Sequence, residues 1–161
     1  MTQLSNLENI IEGNAIRIIA IDPGRTTGVA YYFRASTSDP FGAKQFVCVN
    51  ALVDWLISVQ PTTIIMETFR LLREKALSLC GQDIYASEVI GAVKVFCVSH
   101  NIPLIMQYPP TRNTVKRSLL ELMGLWQVTV GMHHARDAAK HLVVYLLKHY
   151  AHLFKTTKDV Y

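Results

Sequence analysis

Three absences limit what this chain can be. Its 161 residues include only three cysteines, Cys48, Cys80 and Cys97, and no C-x-x-C pair. An odd number of widely spaced cysteines argues against a disulfide framework and against a cysteine zinc site. Charged residues make up only 17% of the chain while half of it is hydrophobic, which excludes a disordered protein. The apolar runs are too short to cross a membrane, so no membrane partner is expected.

Length and the N-terminal residues set expectations for domain organisation and compartment. A chain of this length fits a single domain, which would bury roughly 70% of its unfolded surface. Residues 1–15 have weak periodicity and are predicted to form an N-terminal arm, followed by one domain over residues 16–161. Glu8 and Glu12 stand where a secretory signal would have a basic region, so the predicted compartment is the cytoplasm.

Basic residues are in modest excess. The net charge is +4 and the pI is near 9.0, which favours a polyanionic partner such as nucleic acid. A solvated surface is the alternative for any single basic residue. The cations that matter most for this hypothesis fall into two clusters: Arg70, Arg73 and Lys75, and then Arg112, Lys116 and Arg117.

Hydrophobic periodicity predicts an alternation of strands and helices. The predicted strands are residues 16–22, 28–33, 45–49, 62–67 and 103–107, of which the first two form a hairpin and residues 34–44 form a loop. The predicted helices are residues 51–59, 84–100, 111–123 and 133–152. Asn50 is a candidate cap of the first helix. Gly91, inside the second helix, suggests close packing against another element.

Acidic residues stand where two apolar strands end. The stretch IIAIDPGRTTG ends a β-branched run in Asp22, and TTIIMETF ends another in Glu67. In HHARDAAKH, His134 and Asp137 are three residues apart, so they share one side of the first turn of the last helix. We expect these four side chains to converge on one site.

Each of these residues also has a simpler interpretation. Asp22 precedes Pro and Gly and could bond to the backbone of its own turn. Glu67 could form a salt bridge with Arg70 or Arg73, since an unpaired buried carboxylate costs several kcal/mol. The two helical residues could serve only the helix terminus or the core. Taken together, the three acids and one imidazole indicate a metal site.

Oxygen ligands with one imidazole and no thiolate suit a hard cation, Mg²⁺ or Mn²⁺, rather than a structural zinc. Two such ions can hold the attacking and leaving oxygens of a phosphodiester during an in-line displacement. The motif chemistry therefore predicts metal-assisted phosphodiester hydrolysis, with Asp22 fixed on a rigid central strand.

Four segments of the sequence together resemble a known family. IAIDPGRTTGVAYY, TIIMETF, IMQYPPTRNTVKRSL and HARDAAKHL, in this order over about residues 16–147, resemble the RuvC-type Holliday junction resolvases of the RNase H-like superfamily, and most closely its compact bacteriophage members. The resemblance implies an α/β fold with a five-stranded mixed sheet, three strands antiparallel and two parallel, flanked by helices. It also implies a homodimer that nicks two opposing strands of a four-way DNA junction, in the host cytoplasm if the source is viral.

The resemblance also implies residue roles. Asp22, Glu67, His134 and Asp137 would hold two Mg²⁺ or Mn²⁺ ions, and Lys116 would lie near the scissile phosphate. The helix near residues 84–100 would form the dimer interface. Where well-studied bacterial members have an aromatic residue three positions after the Glu, this chain has an arginine, and its aromatic residue comes one position earlier. The predicted DNA-binding set is Phe69, Arg70, Arg73, Lys75, Arg112, Lys116 and Arg117.

Three other functions remain open at this stage. An RNase H-like nuclease could act on other branched, hybrid or single-stranded substrates. DPGRTTG also resembles the phosphate-binding hairpin of actin-like ATP-binding domains, although these need a second lobe. A non-catalytic DNA-binding module would use the acids structurally. Lys140 is expected to pair with the acids or to contact DNA, and the remaining histidines are predicted to be surface or core residues: His133, His141, His149 and His152.

Overall fold

The computed structural model describes residues 16–34, 40–69 and 84–151, without the side chain of Pro110. The predicted N-terminal arm and the cluster Arg70, Arg73 and Lys75 therefore lie outside the described residues. The strands are β1 (Arg17–Asp22), β2 (Thr27–Phe33), β3 (Phe41–Phe46), β4 (Thr63–Glu67) and β5 (Leu104–Gln107). The α-helices are α1 (Val49–Val59), α2 (Tyr85–Ser99), α3 (Arg117–Leu122), α4 (Leu125–Val128) and α5 (His133–His149), and Pro109–Thr114 forms a 3₁₀ helix.

The five strands form one mixed sheet in the order β3-β2-β1-β4-β5. β1 pairs antiparallel with β2, and β2 pairs antiparallel with β3. β4 lies parallel to β1 and to β5, so the carboxyl ends of these three strands meet at one edge of the sheet. The predicted fold class, with three antiparallel strands, two parallel strands and flanking helices, is confirmed.

Both faces of the sheet are covered, because successive strand residues point to opposite sides. On one face, Ile18 packs with Leu142 of α5. On the other face, Ile19 packs with Leu56 of α1 and Val93 of α2. The centre of β4 is fully buried, as its uninterrupted apolar sequence predicts for a strand covered on both sides. These two layers hold the carboxyl ends of the central strands at fixed positions.

Two predictions around the third strand are wrong. β3 begins at Phe41 rather than at residue 45, because Phe41 and Gly42 pair with Tyr32 and Tyr31 of β2. Gly42 suits this pairing, since a Cβ there would collide with the ring of Tyr31. Asn50 is not the cap of the first helix. α1 begins at Val49, two residues earlier than predicted, after Cys48, which forms no side-chain capping bond.

The basic helix predicted over residues 111–123 is interrupted. A 3₁₀ helix occupies Pro109–Thr114, and Val115 and Lys116 are extended before α3 begins. The interruption places the Val115 side chain in the core. The close packing expected at Gly91 is not met by the part of the chain that the structure describes, where no atom lies within 4 Å of a Cβ added there.

None of the helices in the described ranges combines the length and the apolarity that a membrane span requires.

Candidate active site

Asp22 is held at the end of β1 by the close approach of α5. It pairs in the sheet with Gly28 of β2. A Cβ at Gly28 would overlap the backbone of His134 and Ala135, so only glycine lets the first turn of α5 lie against β2 here. This contact allows His134 Nδ1 to donate a hydrogen bond to Asp22 Oδ2 at 3.0 Å.

Glu67 lies at the end of β4 and is bound by two basic side chains. Its Oε2 accepts hydrogen bonds from Arg112 Nη1 at 2.6 Å and from His141 Nε2 at 2.7 Å. His141 Nδ1 donates to Gln107 Oε1 at 2.6 Å, and Gln107 Nε2 donates to the His141 carbonyl at 3.4 Å. Both ring nitrogens of the fully buried His141 therefore face side-chain oxygens, one of Glu67 and one of Gln107.

Asp137 lies one turn from the start of α5, between Lys140 and the same Arg112. Lys140 Nζ donates to Asp137 Oδ1 at 2.9 Å, and Arg112 Nη1 lies 3.7 Å from Asp137 Oδ2. Lys140 thus forms the ion pair that was one of its two predicted roles. The guanidinium of Arg112 connects Glu67 to Asp137, so the 3₁₀ helix that carries it joins β4 to α5.

The three carboxylates also act on one another. Burial raises the pKa of Asp22 above its ordinary value of 3.8, the hydrogen bond from His134 lowers it, and the charges of Glu67 and Asp137 raise it further. Burial by itself lowers the pKa of Arg112, but the charges of Glu67, Asp137 and Asp22 raise it above its ordinary range. Asp22, Glu67 and Asp137 therefore meet at one place, as the sequence predicts.

The raised pKa of Asp22 has a consequence for stability. As the pH rises from 3.8, the unfolded chain loses this proton before the folded protein does. The folded state then binds more protons than the unfolded state, so the free energy of unfolding falls as the pH rises through this window. The almost fully buried Asp22 therefore contributes less stability as the pH rises, and a shift of this kind is common at functional sites.

The donor set at the carboxyl ends of β1 and β4 is rich in oxygen. Three carboxylates and one imidazole supply the oxygen-rich surroundings that Mg²⁺ and Mn²⁺ take. Thr68, next to Glu67, has a buried Oγ1 with no hydrogen-bond partner in the described residues, so an unsatisfied polar atom adjoins this end of β4. Across residues 16–34, 40–69 and 84–151, no three His, Cys, Asp or Glu side chains form a ready-made metal site. Each carboxylate is instead contacted by at least one basic side chain, and Arg112 is shared by Glu67 and Asp137. The oxygen-rich donor set fits such an ion in its chemistry.

The remaining predicted site residues have different surroundings. Phe69 is 39% exposed just beyond β4, and Lys116 is exposed immediately before α3. Arg117 pairs with Glu121 at 2.7 Å. Arg112 lies among the acids and not on an open surface. The roles of these residues in DNA binding stay predictions.

The sequence did not lead us to predict the side chains that hold Glu67 in place. His141 was expected to be a surface or core residue, and the structure makes it a buried hydrogen-bond donor to Glu67. Its spacing carried a signal, because His141 is four residues after Asp137 and seven after His134, which puts all three on one side of α5. Gln107 is the sheet neighbour of Glu67 in the parallel pairing of β4 with β5.

Comparison with known proteins agrees with this architecture. No protein-family model and no curated protein matches the sequence. Among solved structures, Thermus thermophilus RuvC in complex with a Holliday junction substrate is similar with a TM-score of 0.58 at 15% identity, covering 86% of this chain and 96% of that one. A second Thermus thermophilus RuvC structure gives a TM-score of 0.57 at 15% identity, covering 86% of this chain and 97% of that one.

The yeast mitochondrial Holliday junction resolvase is similar with a TM-score of 0.50 at 14% identity, covering 96% of this chain and 91% of that one. The three structures are similar to this chain over nearly all of their own length, so the likeness concerns a whole domain and not a shared motif. At identities this low, the structural likeness establishes the fold alone. The chain therefore has the RNase H-like fold found in the RuvC-type Holliday junction resolvases.

Proposed function

We propose that this protein is an endodeoxyribonuclease that resolves four-way DNA junctions by hydrolysing phosphodiesters in two opposing strands. The observation that carries the proposal is the meeting of Asp22, Glu67 and Asp137 at the ends of three different elements, where each charge acts on the others. Keeping three carboxylates together opposes folding, and a function that needs them explains the cost. The similar Thermus RuvC is seen with a Holliday junction, and that supports this class of substrate.

The proposed cofactor is Mg²⁺ or Mn²⁺, two ions for each site, held by Asp22, Glu67, His134 and Asp137. Such ions supply Lewis-acid stabilisation of the reacting phosphate and lower the pKa of a bound water. Asp22 is suited to the central position because it stands on a fully buried strand and cannot move far. Lys116, exposed before α3, is assigned by resemblance to the vicinity of the scissile phosphate.

The residues around Glu67 have a positioning role in this proposal. His141 restricts the rotation of the Glu67 carboxylate from α5, and Gln107 of β5 holds the His141 ring in place. Arg112 neutralises Glu67 and Asp137, and a bound divalent ion would take over much of that charge compensation. Fixed supporting side chains of this kind hold catalytic groups within about 0.5 Å of a productive geometry.

A panel of labelled DNA substrates tests this function. We expect symmetric nicks in a four-way junction with Mg²⁺ or Mn²⁺, and none in EDTA, because hydrolysis requires the ions. Fork, RNA–DNA hybrid, single-stranded and linear duplex substrates of the same sequences serve as controls. Faster cleavage of the hybrid or the single strand would redirect the proposal to another nuclease class. Junction binding without cleavage in either metal would favour a non-catalytic DNA-binding module.

We also propose that α2 is the surface through which two copies associate. Its solvent-facing side carries Val95 and Val98, which are 67% and 83% exposed, beside Gly91, whose surroundings are open in the described part of the chain. Exposed apolar residues along one helix are typical of an interface. Two copies would supply the two sites needed to nick opposing strands.

The dimer hypothesis predicts a mass near twice 18.2 kDa in solution at micromolar concentration. Val98→Asp is expected to give the monomer, because it places a charge in an apolar interface. Analytical ultracentrifugation measures both. Leu122→Asp is the matched control, since Leu122 is 82% exposed on α3, which packs on the opposite face of the sheet. A wild-type monomer that cuts both strands symmetrically would contradict the hypothesis.

A further inference from the structure

A second site lies beside Asp137. A cavity of about 370 Å³ is lined there by three cations, Arg117, Arg136 and Lys140, together with Trp126 and the Asp137 carboxylate itself. The catalytic cluster and this cavity therefore share Asp137. A molecule bound in the cavity would therefore lie next to a group bound at Asp22, Glu67 and Asp137. The volume is near the lower end of the range of roughly 300–1,000 Å³ seen for ligand pockets.

Two guanidinium groups lie against the same indole ring. The Cζ atom of Arg136 is 3.9 Å from the Trp126 ring centroid and that of Arg117 is 4.3 Å from it. Each contact is a favourable cation–π interaction, but two like charges on one ring repel each other. An anion placed between or beside them removes that repulsion.

Arg136 is held in place by the backbone as well as by Trp126. Its Nη2 donates to the Thr129 carbonyl at 3.0 Å and its Nε donates to Thr129 Oγ1 at 3.4 Å. Thr129 is fully buried, and its hydroxyl donates to the Leu125 carbonyl at 2.7 Å. A buried polar residue is thus used to fix a cation at the wall of the cavity.

The cavity keeps a net positive charge. Lys140 is paired with Asp137, and Arg117 is paired with Glu121. Within the described ranges, Arg136 is the cation of the three that has no carboxylate partner. A guanidinium with free N–H groups, on a side chain that is already held in place, matches the oxygens of a phosphate. Phosphate is the anionic group of a nucleic acid.

We propose that this cavity binds a backbone phosphodiester of the DNA strand that is cut, adjacent to the phosphate at the acids. The inference rests on the proposed function, because it takes DNA as the ligand. Arg136 and Arg117 neutralise this neighbouring phosphate, and Trp126 keeps both guanidinium groups at the cavity. Such a contact places the strand in register with the acids and reads no base sequence.

The salt dependence of DNA affinity tests the site. Each lost phosphate contact is expected to reduce the slope of log K against log salt by about one. We expect this reduction for Arg136→Gln and for Arg117→Gln, measured in EDTA on a four-way junction and on a linear duplex. Arg136→Lys keeps the charge and should keep the slope. Thermal unfolding shows whether each variant is folded, and the exposed Arg117 provides a readout that does not depend on the Thr129 contacts.

Lys148→Gln is the matched control. Lys148 is exposed near the end of α5, roughly 18 Å along the helix axis from Arg136, and it carries the same charge. Its loss should leave the slope unchanged. Slopes for both arginine variants equal to that of Lys148→Gln would overturn the inference.

Fluorescence gives a second readout at the cavity. The chain has two tryptophans, so Trp55→Phe leaves Trp126 as the reporter. We expect DNA to change the Trp126 emission in this background, and Arg136→Gln to reduce the change. Unaltered emission at saturating DNA would count against the site.

The two proposals fail in different ways. Junctions that are neither preferred nor cut, with a reduced slope for the arginine variants on linear duplex, would reject the resolvase function and retain the phosphate site. Junction cleavage with unchanged slopes would reject the phosphate site and retain the function.

Discussion

Asp22→Asn is expected to abolish Mg²⁺-dependent nicking of a four-way junction while leaving junction binding intact. The substitution keeps the size of the side chain and removes the carboxylate that is proposed to hold both ions. Loss of several kcal/mol of metal-based stabilisation corresponds to a rate reduction of about a thousandfold or more. Single-turnover cleavage measures the rate, and gel shift in Ca²⁺ or EDTA measures the binding. Undiminished cleavage by the variant would exclude the proposed site.

The same substitution should make the protein more stable near neutral pH. Burial raises the pKa of Asp22, so its ionised form destabilises the fold above the ordinary value of 3.8, and Asn removes that charge. Thermal unfolding in EDTA should show a gain for Asp22→Asn at pH 7 that decreases as the pH falls to 3.8 and below, because both states of the wild type then become protonated. Asp54→Asn, on the exposed side of α1, controls for loss of a carboxylate and should change neither cleavage nor stability appreciably.

Gly28→Ala is expected to separate α5 from β2 and to disrupt the site with it. The added methyl group would overlap the backbone of His134 and Ala135, which cannot rotate away as a side chain could. Overpacking costs about 1–3 kcal/mol, and more where the neighbour is backbone. We expect a lower free energy of unfolding than in the wild type, measured by urea denaturation. Junction cleavage should be strongly reduced as well, because His134 can no longer reach Asp22.

Gly24→Ala is the control for this prediction. Gly24 lies in the turn between β1 and β2, four residues before Gly28, and a Cβ there would meet only the Thr26 carbonyl oxygen at 3.5 Å, an ordinary contact. Its effect should stay within about 0.5 kcal/mol. A Gly28→Ala protein as stable and as active as Gly24→Ala would show that the approach of α5 to β2 is looser than the structure indicates.

The surroundings of Glu67 stabilise its negative charge, whereas those of Asp22 do so less. Glu67 is compensated by Arg112 and His141, whereas Asp22 has one imidazole and two nearby carboxylates. A bound divalent ion would therefore relieve Asp22 more than Glu67. The site thus combines Glu67, whose charge is stabilised by basic side chains, with Asp22, whose ionised form destabilises the fold.

Local sequence was sufficient for most of the elements. The β-branched runs before Asp22 and Glu67 form β1 and β4 as predicted, and the helix predicted near residues 84–100 is α2. Local sequence was misleading where pairing decided the outcome. β3 extends back to Phe41 because β2 offers partners there, and the basic helix breaks at Val115 because that side chain is buried in the core.

The sequence by itself determined which acids end the central strands and which residues share the first turn of the last helix, because strand ends and helical spacing are local properties. Only the tertiary structure decided which cation each acid meets. Glu67 is bound by Arg112, 45 residues away, and by His141, 74 residues away. Such pairings depend on how the 3₁₀ helix and α5 cross the edge of the sheet, and no local spacing encodes that crossing.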